Sequence, residues 1–193
     1  MSAQQQALIT PEEYLDRERL AETKSEYWNG VVLAMAGGSS QHDRLQNNLV
    51  REIGNALKTH PCRTAGPDLR LRVAGSRVYT YPDMMILCGK TEYADDQRDT
   101  VLNPVVVIEI LSRSTEAYDR GEKFAAYRRL PSLQEYLLVS QSQPRVERFR
   151  RLPDDRWILT EVTGMTELLQ LESVPCQVPM AEIYDRVEFS GQL

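Results

Sequence analysis

One run of seven residues constrains this chain more than any other. Val105-Val106-Val107-Ile108-Glu109-Ile110-Leu111 is apolar and mostly β-branched except for a single carboxylate. A continuous apolar run of this length reads as a strand covered on both faces, where a glutamate has no use for folding. A second apolar stretch begins at Met84 and is preceded by Tyr81-Pro82-Asp83, so it too carries one acid. If the two runs pair as antiparallel neighbours across a loop centred near Asp95 and Asp96, Asp83 and Glu109 stand opposite each other. Directly opposed residues on such a pair have Cβ atoms roughly 5 Å apart. Two ionised carboxylates about 4 Å apart repel by about 4 kcal/mol at an effective dielectric of 20. A divalent cation relieves that repulsion most directly, and Mg²⁺ favours one or two carboxylates completed by waters and phosphate oxygens.

The chain has 193 residues, 41% of them hydrophobic and 26% charged, which is enough for one sizeable core and short for two. One domain over residues 1–193 is expected, with its core from about 10 to 185. No apolar run nears the roughly 20 residues of a membrane helix. The segment before Arg17 has neither the basic residue nor the apolar core of a signal peptide. A soluble, cytoplasmic protein with no membrane partner is therefore expected. Cys62, Cys88 and Cys176 are odd in number, far apart and without Cys-x-x-Cys spacing, so reduced, buried thiols are expected and no structural zinc site. The net charge of −5 argues against nonspecific coating of nucleic acid. Local clusters remain: Arg63, Arg70, Arg72 and Arg77, then Arg145, Arg148, Arg150, Arg151 and Arg156. They read first as solvated strand faces and second as a surface for a phosphate backbone.

Thr10-Pro11-Glu12-Glu13 has the hydroxyl, first-turn proline and reciprocal glutamate of a helix start. Asn29-Gly30, flanked by Tyr27-Trp28 and Val31-Val32, is a strong hairpin signal. Gly37-Gly38-Ser39-Ser40 then opens a helix with Leu45, Leu49, Ile53 and Ala56 on one face, expected to run to about Lys58. Strands follow from Thr64 to Leu87, then an exposed loop from Gly89 to Asn103. Asp119 and Glu122 suggest a helix start that carries Phe124, Tyr127 and Leu130 inward and stops before Pro131. Tyr136-Leu137-Leu138-Val139 is a short buried strand, so a right-handed crossover within a mixed sheet is implied. A hairpin of Arg145 to Arg151 with Trp157 to Thr163, a strand near Leu168 to Leu171 and a helical turn near Ala181 to Tyr184 complete the pattern. The fold class is α/β, a mixed sheet flanked by helices with additional β-hairpins.

Hydrolysis of a phosphodiester needs metal-binding oxygens, a positive group near the attacking water or scissile phosphate, and room for an anionic substrate. Asp83 and Glu109 supply the first. Lys123, on the next helix, has a stem long enough to return its ammonium to the pair, or else it pairs with Asp119 at i,i+4 on a wet face. His42 shares a stripe with Leu45 and Leu49, with Gln46 one turn on, and serves as a cap or projects toward the site. Glu26, ahead of the first hairpin strand, is a further acid that completes a metal shell or lies on the surface.

Together, Glu26-Tyr27-Trp28-Asn29-Gly30, His42, Pro82-Asp83, Val107-Ile108-Glu109-Ile110-Leu111-Ser112, Asp119, Lys123, Tyr127 and Glu135-Tyr136-Leu137-Leu138-Val139 resemble the Uma-type endonuclease family of the restriction-endonuclease-like PD-(D/E)XK superfamily. The resemblance runs from about Thr10 to Tyr184. It implies a four- or five-stranded mixed core sheet flanked by helices, Mg²⁺ or Mn²⁺ held by Asp83 and Glu109, DNA as substrate, and a homodimer. It also implies that the superfamily lysine, whose strand position is taken here by Leu111, has moved to Lys123. Ser140 and Arg113 stand where the family typically has an acid and a proline. The expected activity is metal-dependent DNA hydrolysis in which Asp83, Glu109, Lys123, His42 and Glu26 take part. The alternative keeps the fold without the reaction, as a nucleic-acid-binding or assembly module.

Overall fold

The computed structural model describes residues 8–35 and 37–189. Its centre is a six-stranded sheet in the order β11-β10-β9-β8-β6-β3. These strands are β3 (Cys62–Ala65), β6 (Met84–Cys88), β8 (Val106–Leu111), β9 (Glu135–Ser140), β10 (Arg145–Arg151) and β11 (Trp157–Thr163). Every neighbouring pair is antiparallel except β8 and β9, which are parallel, as the strand–helix–strand pattern implies. All six residues of β8 are buried. Period-two alternation sends Ile108 and Ile110 to one face and Val107, Glu109 and Leu111 to the other.

The first face is covered by α2 (Ser40–Ala56), whose Leu45, Leu49 and Ile53 pack on Met84, Ile86, Ile108, Ile110, Leu137 and Val139. Ser39 caps that helix by accepting the His42 N–H. A β12 (Leu168–Leu171) and β13 (Cys176–Pro179) hairpin and α5 (Met180–Ile183) complete this side. Strand β13 was not anticipated; it pairs with β12 through Cys176, a weak strand signal by itself.

The second face meets α3 (Glu116–Tyr118), a π turn (Asp119–Lys123) and α4 (Phe124–Tyr127). It also meets a second sheet in the order β2-β1-β5-β4-β7, built of β1 (Ser25–Trp28), β2 (Val31–Ala34), β4 (Arg70–Val73), β5 (Val78–Thr80) and β7 (Thr100–Val101). The β1–β2 turn is the expected Asn29-Gly30, both with positive φ. α1 (Pro11–Glu18) begins with the expected capping box, Thr10 and Glu13 exchanging bonds of 2.9 and 3.2 Å.

Several expectations are corrected. The core sheet has six strands, because the terminal hairpin β10–β11 joins it through β9. The 89–103 segment is not all loop, since β7 pairs in parallel with β4. The helix expected to start at Asp119 starts at Glu116, with Thr115 at its cap and a wide turn inserted at Asp119. Cys62 and Cys88 are not free thiols. The antiparallel register of β3 and β6 sets them directly opposite, and they are disulfide-bonded; Cys176 is free and buried. Arg70 is not on a solvated face: it is 4% exposed and donates to the Tyr81 hydroxyl at 2.9 Å. Of the later cluster, Arg145, Arg148 and Arg150 pair with Glu147, Glu161, Glu172 and Glu135, so little of their charge is left for a partner. Among the described residues no helix is long and apolar enough to cross a membrane.

Candidate active site

Antiparallel pairing of Met84 with Ile108 places Asp83, one residue before β6, opposite Glu109 in the middle of β8. The two carboxylates are held by backbone amides. The Ile110 N–H donates to Asp83 Oδ2 at 2.7 Å, and the Asp83 N–H donates to Glu109 Oε2 at 3.4 Å. Asp83 immediately precedes β6, and its side chain turns toward β8, where it accepts the Ile110 N–H.

Lys123 lies behind the pair. The π turn aims it inward, and its Nζ lies 3.1 Å from Glu109 Oε1, 3.2 Å from Asp119 Oδ1 and 3.3 Å from Glu26 Oε1. The choice between wet face and site is thereby decided: the Lys123 side chain is 8% exposed. The i,i+4 pairing with Asp119 is present, but buried within the site and not on a wet face. Glu26 lies inside β1 and not ahead of it, and is 4% exposed, so the second sheet contributes an acid to the same cluster.

Tyrosines fix these acids. Tyr127 donates to Glu109 Oε1 at 2.9 Å and meets Thr80 Oγ1 at 3.0 Å. Tyr118 donates to Glu26 Oε2 at 2.8 Å, and Tyr136 donates to the Asp119 carbonyl at 2.9 Å. His42 reaches over from α2, its Nε2 3.1 Å from Asp83 Oδ1, while Gln46 donates to the Asp83 carbonyl at 2.8 Å. All five expected residues, Asp83, Glu109, Lys123, His42 and Glu26, therefore meet in one cluster. Asp119, Tyr118 and Tyr127 were not expected there as members. Asp119 read as a helix start and Tyr127 as a core residue, and Tyr118 was not singled out; the four-residue spacing of Asp119 and Tyr127 from Lys123 was the available signal.

Burial dominates the electrostatics. It pushes the Glu109 carboxyl up to about 8, Lys123 opposing and Asp83, Asp119 and Glu26 reinforcing the rise. Burial likewise raises Asp119, and its Oδ1 makes no hydrogen bond despite the nearby ammonium. Burial would lower Lys123 and His42, but the carboxylates prevail: Glu109, Glu26 and Asp119 hold Lys123 well above the usual lysine range, and Asp83 holds His42 above the usual histidine value. Four carboxylates face two cationic side chains, and burial opposes ionisation of Glu109 and Asp119. A divalent cation beside Glu109 would favour its ionised form and balance the charge so created. The accessible lip is formed by Asp83 and His42, whose side chains are 18% and 17% exposed.

The donor set fits a hard cation of the Mg²⁺ class, which needs only one or two carboxylates and retains water. Asp83 and Glu109 are the pair that would hold it. No cage of three or more His, Cys, Asp or Glu ligands exists among the described residues.

Comparison with known proteins agrees with this fold. The sequence model of the Uma2 family, described as "Putative restriction endonuclease", matches residues 11–181. The chain is similar to two proteins of Synechocystis sp. It is 38% identical to the uncharacterized protein sll1609 over 157 residues, covering 81% of this chain and 89% of that one. It is 34% identical to the uncharacterized protein slr1290 over 181 residues, covering 94% of each. The fold is shared with a crystal structure from Anabaena variabilis described as "a putative nuclease belonging to DUF820", at a TM-score of 0.75 and 18% identity, over 91% of this chain and 97% of that one.

Proposed function

The chain belongs to the Uma2 family, whose fold and nuclease-like character it shares, and from that membership and the site's geometry we propose that it is an endonuclease that hydrolyses DNA phosphodiester bonds with Mg²⁺ or Mn²⁺. The observation that carries the reading is the position of Lys123 Nζ, 3.1 Å from Glu109 and buried directly behind the Asp83–Glu109 pair. When bound, a divalent cation lowers the pKa of coordinated water and offsets phosphate charge.

Everything else falls to the chain's own residues. Asp83 and Glu109 hold the cation, their orientation set by the Ile110 and Asp83 amides and by the Tyr127 hydroxyl. Lys123 directs the attacking water or stabilises charge on the scissile phosphate, a role that a compact ammonium with several donors suits. Glu26 and Asp119 keep that ammonium charged and in place. His42, at the accessible lip, orients Asp83 and presents a proton to an approaching phosphate oxygen. A homodimer would bring two such sites to the two strands of a duplex, which sedimentation of the pure protein tests.

Supercoiled plasmid incubated with the protein and Mn²⁺ should be nicked and linearised, and chelation should stop the reaction. Glu109→Ala and Lys123→Ala proteins that cut as fast as wild type would refute the assignment. A second reading, a noncatalytic nucleic-acid-binding or assembly module, draws on one observation: both Asp83 oxygens and the ammonium are already engaged within the protein. Titration calorimetry separates the two, because a retired site should bind Mn²⁺ no better than the Asp83→Ala variant does.

A further inference from the structure

The turn that carries Lys123 is wider than an α-helical turn. Asp119–Lys123 forms a π turn between α3 and α4, and such insertions are rare and gather at functional sites. Its residues leave in two directions. Asp119 and Lys123 are buried toward Glu109, whereas Arg120 crosses to β10, where Nη1 meets Glu147 Oε2 at 2.5 Å and Nη2 meets Oε1 at 2.7 Å. The same guanidinium holds Glu116, in the turn before, through Nε at 2.8 Å. Glu147 is only 7% exposed, and Arg145 stands 3.6 Å away as a second cation.

The register explains why this pair matters to the site. Leu138 of β9 is the partner of Glu109 on β8 and also of Glu147 on β10. Glu109 and Glu147 therefore occupy one row across three strands, on the same face, about 10 Å apart given the spacing of neighbouring strands. The π turn lies across that row and docks at both ends, Lys123 over Glu109 and Arg120 over Glu147. A turn docked only through Lys123 could pivot about the sheet; a planar two-bond fork at the other end removes that freedom.

We propose that Arg120 and Glu147 are positioning residues that fix the π turn and thereby set the Lys123 ammonium against Glu109. The proposal rests on the nuclease reading for its effect on turnover, but not for its effect on Lys123 itself. Two measurements on the full chain keep these apart. In plasmid cleavage with Mn²⁺, R120Q and E147Q should each lower kcat about tenfold with KM within twofold of wild type. The R120Q/E147Q double variant should be no slower than either single one, because the two act as a unit. Effects that multiply in the double variant, or single variants with wild-type kcat, overturn the proposal.

The second measurement needs no activity. A buried Lys123 held between three carboxylates should give a protected side-chain ammonium resonance in ¹H–¹⁵N spectra, assigned by its loss in K123M. That resonance should broaden or vanish in R120Q and E147Q while the thermal midpoint stays within a few degrees of wild type. An unchanged Lys123 resonance in both variants overturns the proposal, whatever the enzyme does to DNA. Should R120Q fail to fold, R120K keeps the charge but not the fork and is expected to give the same loss. A wild-type protein that cuts nothing but shows the resonance change would sink the nuclease reading and leave the positioning pair standing.

Discussion

Lys123 Nζ and Glu109 Oε1 lie 3.1 Å apart, joining a wide helical turn to the central strand of a sheet in a site closed to all but a few per cent of solvent. The ammonium is the sole lysine in contact with Glu26, Glu109 and Asp119 among the described residues, and three predictions concern what surrounds it; a fourth concerns the sheet.

Replacing Lys123 by Met should destabilise the protein by about 3 to 5 kcal/mol, because removing one partner of a buried ion cluster leaves uncompensated charge. Cleavage should be lost as well. Denaturant unfolding at neutral pH checks the first effect. A K123M protein as stable as wild type would mean that the acids are neutral or hydrated there.

Asp83→Asn should separate function from stability. The amide is isosteric and the Asp83 side chain is the more exposed of the pair, at 18%, so the protein should fold and lose only about 1 to 2 kcal/mol with one acceptor oxygen. Mn²⁺ affinity and plasmid cleavage should both disappear. Retained Mn²⁺ binding would remove Asp83 from the ligand set.

Glu147 supplies a pH dependence with a definite sign. Its bond to Arg120 holds the carboxyl below its ordinary value of 4.5, with Arg145 adding to the effect and burial opposing it. A depressed carboxyl contributes stability above its unfolded pKa and loses it as pH falls through the folded one. Wild type should therefore be more stable than E147Q at pH 6 to 8, and the gap should close below about 4.5. Thermal midpoints across pH 3 to 7 measure it, and a gap independent of pH would contradict the ion pair.

The Cys62–Cys88 disulfide closes 26 residues of sequence between the edge strand and the strand that leads from Asp83. Chain-entropy reasoning gives roughly 3 kcal/mol for a loop of this size. C62S, or wild type with reductant, should melt several degrees lower, and C176S, which keeps the bond, should lose as much on reduction as wild type does. Identical midpoints with and without reductant would show that the bond adds nothing.

Much of the framework was legible because it depends on local signals. The Asn29-Gly30 turn, the Thr10 capping box, the α2 stripe of Leu45, Leu49 and Ile53, and the hairpin around Pro153-Asp154-Asp155 each declare themselves within a few residues. The Asp83–Glu109 opposition was also readable, since an apolar strand with one acid and a symmetric loop leave little choice of register. Arg70 shows the opposite case. Alternation with Leu69, Leu71 and Val73 predicts a wet side chain, yet Arg70 lies against the Tyr14 ring of α1, and Tyr81 and Asp99 accept its hydrogen bonds.

The sequence by itself determined most of the strands, the main helices and the one pair of acids that folding would not place in an apolar run, because periodicity and turn chemistry act over short distances. Only the tertiary structure decided that Glu26, from another sheet, and Asp119, from an inserted wide turn, share one lysine with Glu109, and that Cys62 faces Cys88. The physical reason is that charge compensation and cross-strand register are set by distances in space, and residues 26, 109 and 119 carry no mark in the chain of how near folding brings them.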